Sequence, residues 1–90
     1  MERKFSLGVI TVTRKANKML DLQSVVKAFG RYICGDWGDI SECDQKANDE
    51  SLESGERKIY AKYTDSDGTM FWIQTEADRS CTTILLPEDF

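Results

Sequence analysis

Past Arg57 the chain changes its period to two, and that change limits the fold more than any other feature. Ile59, Ala61 and Tyr63 alternate with Lys58, Tyr60 and Lys62, and Asp65-Ser66-Asp67-Gly68 then turns the chain into Met70-Phe71-Trp72-Ile73. Alternation on both sides of an Asp/Gly turn predicts two antiparallel strands. From Phe71 to Pro87 the sequence FWIQTEADRSCTTILLP places two apolar runs around the polar segment Thr75-Glu76-Ala77-Asp78-Arg79-Ser80. The second run, Thr82 to Leu86, predicts a last strand, placed near a sheet edge because Pro87 ends it. A sheet with one apolar face must pack against something, and the upstream residues have to supply it.

They read as one strand and three helices. Phe5 to Thr13 alternates, with Phe5, Leu7 and Val9 on one side, which predicts a first strand. Thr13 is an N-cap for a short helix to Leu20 with Ala16, Met19 and Leu20 inward, and Asp21 caps the next. Leu22, Val25, Val26, Phe29, Tyr32 and Ile33 fall on helical spacing, giving a second helix over Leu22 to Ile33 that stops at Gly35. Gly35-Asp36-Trp37-Gly38 is a glycine-bracketed turn whose tryptophan is expected to fold back onto the core. Ser41 caps a third helix to about Ser54, stopped by Gly55, with Ile40, Cys43, Ala47, Ser51 and Leu52 as its inward stripe. The expectation is one α+β domain over residues 1–90: a small antiparallel sheet, made of the N-terminal strand and a C-terminal three-stranded meander, packed against three helices.

Ninety residues leave room for one core. No apolar run is long enough to span a bilayer, so a cytoplasmic protein without membrane partners is expected. The chain has no histidine, which removes serine–histidine, cysteine–histidine and histidine–metal chemistry. Cys34, Cys43 and Cys81 are odd in number and widely spaced, the pattern of buried or half-buried free thiols rather than of a zinc site or disulfide framework. No cofactor and no metal is expected.

The stretch GDWGDISECDQKANDESLESGERKIYAKY, followed by FWIQTEADRSCTTILLPEDF, resembles a family of small uncharacterised proteins carried on phages, plasmids and other bacterial mobile elements. The resemblance covers about Gly35 to Phe90 and rests on Gly35-Asp36-Trp37-Gly38, Asp44, Asn48, Trp72, Glu76-Ala77-Asp78-Arg79-Ser80, Thr82-Thr83 and Leu85-Leu86-Pro87. It implies a mobile-element setting and no particular reaction. The N-terminal third departs more from the family, with Arg14-Lys15-Ala16-Asn17 where relatives have a proline or glycine turn.

Two sets of residues merit attention for function. Glu76, Asp78 and Arg79, with Asp36, Asp39, Asp44 and Asn48, are the only set from which a metal-dependent phosphate chemistry could be built. The plainer alternative makes Trp37, Glu76, Asp78 and Arg79 a structural clasp in which Arg79 meets Asp36 or Asp39. Charge supplies the other set. Residues 1–35 carry seven basic and two acidic groups, residues 36–56 one basic and eight acidic, so the middle of the chain is an acidic pole. Asp36, Asp39, Glu42, Asp49, Glu50 and Glu53 are therefore the candidate partner-binding residues, imitating a row of phosphates toward a host protein or nucleoprotein complex with a basic surface. A solvated helix face is the plainer account of the same acids. Direct nucleic-acid binding is disfavoured by net charge −4, despite Lys4, Arg14, Lys15 and Lys18. The aromatics Tyr60, Tyr63, Phe71 and Trp72 alternate between sheet faces and are expected to pack rather than to stack on bases. The leading expectation is a counter-defence protein of the anti-CRISPR kind that acts by binding. The alternatives are the metal-dependent enzyme and a structural homodimer joined through an exposed strand.

Overall fold

Every helix begins where the sequence supplies an oxygen for its free amides. In the computed structural model, which describes residues 5–89, Thr13 accepts from the Ala16 amide, Asp21 from Ser24 and Ser41 from Asp44. The helices that follow are α1 (Arg14–Met19), α2 (Leu22–Ile33) and α3 (Glu42–Ser54). The strands are β1 (Val9–Val12), β2 (Ile59–Thr64), β3 (Met70–Thr75) and β4 (Cys81–Leu85), and a 3₁₀ turn covers Pro87–Asp89. Lys4 and Phe90 lie outside the described residues. The fold is α+β.

The meander is antiparallel as its alternation predicts, with Tyr63 opposite Phe71, Ala61 opposite Ile73 and Ile73 opposite Ile84. The first strand changes the sheet's character. It joins β4 in parallel, giving a mixed sheet of order β1-β4-β3-β2, so β4 is a central strand and not one near an edge. Pro87 is compatible with that position because it follows the strand and opens the 3₁₀ turn, where its missing N–H costs no ladder bond.

β1 is also shorter than expected. Gly8 sits at φ 63°, and a Cβ there would collide with the Ser80 carbonyl, so the alternation breaks at this residue. Leu7 stays in the core while Val9 turns out and is 66% exposed, against the expectation that both face inward. Met19, Leu22 and Val26 are likewise 54%, 75% and 62% exposed, because the helical core positions are taken by Ala16, Ala28 and Tyr32. Cys34 and Cys43 are exposed rather than buried, and only Cys81 is half-buried.

On its helix-covered face the sheet presents Ile59, Ala61, Tyr63, Phe71, Ile73 and Ile84, all nearly fully buried. Tyr63 and Phe71 pack with ring centroids 5.9 Å apart on this face, and Tyr60 and Trp72 lie 5.5 Å apart on the other, as the alternation requires. Through this core runs a chain of short hydrogen bonds. The Tyr32 hydroxyl lies 2.7 Å from Thr75 Oγ1 and 3.1 Å from the Ile59 carbonyl, Thr75 is 2.8 Å from Thr82, and Thr82 donates to the Leu7 carbonyl at 2.7 Å. Burial raises the Tyr32 phenol above its ordinary value, which keeps its donor proton in place. Tyr32→Phe removes the α2 end of the chain and leaves buried oxygens short of a partner. It is expected to cost about 1–3 kcal/mol in urea unfolding, with the sheet's circular dichroism unchanged.

Acid should weaken the fold. Asp65 accepts from the amides of Thr69 and Asp67 at 2.9 Å and is held below its ordinary pKa, first by the Thr69 bond. Asp36, Asp78 and Asp89 are also lowered, by Arg31, Ser80 and the Leu86 amide respectively. A depressed folded pKa gives stability that is present above the unfolded value and lost as pH falls through the folded one. The midpoint of urea unfolding is therefore expected to fall once the pH drops below about 4, and Asp65→Asn should flatten that fall.

Candidate functional site

The acidic pole is built on the device that closes one edge of the sheet. β2 is an outer strand, and its outward backbone groups at Tyr60 and Lys62 need partners. The Lys62 amide donates to the Trp37 carbonyl at 3.3 Å, and the Lys62 carbonyl accepts from the Asp39 amide at 2.9 Å. Two residues earlier, Asn48 of α3 mimics a strand: its side chain donates to the Tyr60 carbonyl at 2.7 Å and accepts from the Tyr60 amide at 3.3 Å. Asn48 is 1% exposed. The GDWG turn and α3 thus seal β2. Gly38 is required for the close approach, since at φ 71° a Cβ there would collide with the Lys62 carbonyl oxygen.

Trp37 is buried at 3% exposure, with its ring 5.6 Å from Tyr32 and 6.0 Å from Phe5. Its indole N–H donates to Asp49 at 3.0 Å, so Asp49 holds the tryptophan in place. Asp36 takes a two-pronged bond from Arg31, at 2.8 and 3.2 Å, and one from the Gly38 amide at 3.2 Å. The Arg31 bond keeps Asp36 below its ordinary pKa and raises that of Arg31, whose guanidinium also lies 5.0 Å from the Tyr63 ring centre.

Arg79 meets neither Asp36 nor Asp39. It adopts φ 62° in the β3–β4 turn and donates to the carbonyls of Ser51, Arg57, Glu76 and Ala77, with the shortest bond, 2.7 Å, to Ser51. The clasp exists, but it ties the β3–β4 turn to the end of α3 rather than to the GDWG turn. The reason is local: the Ser51 carbonyl in the last turn of α3 already accepts from the Gly55 amide at 2.9 Å, and its second lone pair is open to the Arg79 guanidinium. Glu76 forms an ion pair with Lys58 at 3.7 Å, and Asp78 accepts from the Ser80 amide at 3.0 Å.

What remains of the predicted binding set is Asp39, Glu42, Glu50 and Glu53. All four are exposed, and the two ion pairs among the described residues, Arg31–Asp36 and Lys58–Glu76, use none of them. Helical spacing puts Glu42, Glu50 and Glu53 on one side of α3, with Lys46 between them. Glu50 also lines a cleft of about 200 Å³ with Ala47, Ser51, Ser54, Glu56 and Arg57. Among the described residues no three cysteine, aspartate or glutamate side chains come together as metal ligands. No helix among them is long and apolar enough to cross a membrane.

No protein-family model, curated protein or solved structure matches this chain.

Asn48 is the residue that sequence reasoning misplaced. The expected inward stripe of α3 ran through Cys43, Ala47, Ser51 and Leu52; Ser51 is buried as expected, but Cys43 is exposed and Asn48, which lay outside the stripe, is buried. The signal was present in the spacing: Asp44, Asn48 and Ser51 share one face, and polar groups on an inward face demand backbone partners.

Proposed function

We propose that this domain acts by binding a macromolecular partner, presenting Asp39, Glu42, Glu50 and Glu53 to a basic surface. The observation that carries the reading is a division of labour among the charged residues. Glu76, Asp78 and Arg79, the set from which an active site would have to be built, are engaged in turn and helix-end bonds, whereas the outer acids of α3 have no ion-pair partner. Unpaired like charges cost self-repulsion, and a basic partner would relieve it. With the mobile-element resemblance, this supports a counter-defence protein that occludes a surface of a host complex, in the manner of an anti-CRISPR inhibitor.

The test is charge reversal on the outer face, Glu50→Lys with Glu53→Lys. Asp49 is left alone because it holds the Trp37 indole. Proteins retained from host lysate by the wild-type domain should be lost with the reversed one, and their retention should weaken as salt rises. Lys27→Glu on α2 serves as a charge-changed control. An identical set of retained proteins for wild type and the reversed variant would refute the reading.

A further inference from the structure

The two edges of the sheet are treated in opposite ways. β2 is sealed by Trp37, Asp39 and Asn48, whereas β1 carries no such cover among the described residues: all four of its own residues are exposed, and it has neither proline nor a charged side chain. The Val9 amide donates to Ser80 and the Thr13 amide to Ile84, so residues 9, 11 and 13 turn their backbone groups toward β4. The N–H and C=O of Ile10 and Val12 then point away from the sheet, a free edge of the kind that pairs with another strand.

We propose that β1 pairs antiparallel with β1 of a second copy across a two-fold axis at Thr11, making one continuous eight-stranded sheet. The pairing is self-complementary. Ile10 of each copy faces Val12 of the other, exchanging four backbone hydrogen bonds in all, and Thr11 faces Thr11 as a non-hydrogen-bonded pair. Ile10 and Val12 lie on the helix side, because they are in register with the buried Thr82 and Ile84. Opposed residues of antiparallel strands share a face, so Ile10 of one copy covers Val12 of the other, whose side chain lines a hollow of about 190 Å³ with Ala16, Leu20, Leu22 and Val25. That places the 51% exposed Ile10 and 44% exposed Val12 against apolar partners, and brings the exposed Leu22, which lines the same hollow, to the seam.

Charge favours the same direction. The C-terminal end of β1 runs into the exposed Arg14 and Lys15, and its N-terminal end lies beside the β3–β4 turn that carries the exposed Asp78. Antiparallel pairing sets each basic end beside the partner's Asp78 end and keeps the two basic ends apart. The inference is independent of the acidic face, which lies at the opposite edge of the sheet.

Light scattering across micromolar to millimolar protein is expected to give twice the 10.3 kDa chain mass. Ile10→Pro deletes an outward N–H without touching the β1–β4 ladder, and Ile10→Lys puts a charge on the edge. Both should halve the mass with unchanged circular dichroism. Should either variant unfold, cysteine cross-linking decides, in a background with Cys34, Cys43 and Cys81 changed to serine. Under oxidation Thr11→Cys should form a disulfide dimer, because the two α-carbons would lie about 4.5 Å apart, whereas Val9→Cys, which faces Thr13 of the other copy, should not. A wild-type chain that stays monomeric throughout, or equal cross-linking at both positions, overturns the proposal.

Discussion

Replacing Trp37 with alanine is expected to lower the unfolding free energy by about 3–5 kcal/mol. The ring is 3% exposed and packs on Tyr32 and Phe5, so truncation opens a void between the GDWG turn, α2 and the N-terminal segment. The cost should appear as a lower urea midpoint, followed by far-ultraviolet circular dichroism. Trp37→Phe separates the two contributions of the side chain. It keeps most of the buried area and loses only the bond to the exposed Asp49, so its cost should be a minor fraction of that of alanine. Equal losses for the two variants would mean that the indole N–H, not the buried ring, anchors the turn.

Gly38→Ala should cost about 2–4 kcal/mol, a large effect for adding one methyl group. At φ 71° any side chain is strained, and here the added carbon would collide with the Lys62 carbonyl oxygen, so the turn has to peel away from β2. Both bonds to Lys62 go with it, and hydrogen exchange at Asp39 and Lys62 should accelerate while the β3–β4 ladder keeps its protection. Gly55→Ala is the matched control. It has nearly the same φ, 68°, with nothing within 4 Å of the added carbon, so it should show only the backbone cost of about 1–2 kcal/mol. If the two alanines cost the same, the close approach to β2 contributes nothing.

These two residues also show how much of the molecule was legible in the sequence. The turn, the tryptophan as a plug and the glycine on either side follow from residue type alone, because glycine and an isolated aromatic have few other uses in so short a segment. What the turn packs against did not follow. Gly38 meets Lys62 and Asn48 meets Tyr60 across long stretches of chain, and neither pairing leaves a local pattern. The Asp36 carboxylate pairs with Arg31, five residues away, and not with Arg79. The acidic face was half legible: the excess of acids is countable, but only the fold shows that Asp36 and Asp49 are engaged while Glu42, Glu50 and Glu53 are not.

The sequence by itself determined the helices with their caps, the antiparallel meander and its inward residues, and the α+β class, since these depend on contacts within a few residues and on the period of the apolar pattern. Tertiary structure alone decided that β1 runs parallel to β4, that β4 is central, and that the β2 edge is sealed while no described residue covers the β1 edge. Strand order and edge cover are choices among pairings of similar local quality, and they are settled by which distant backbone groups find partners once the core has closed.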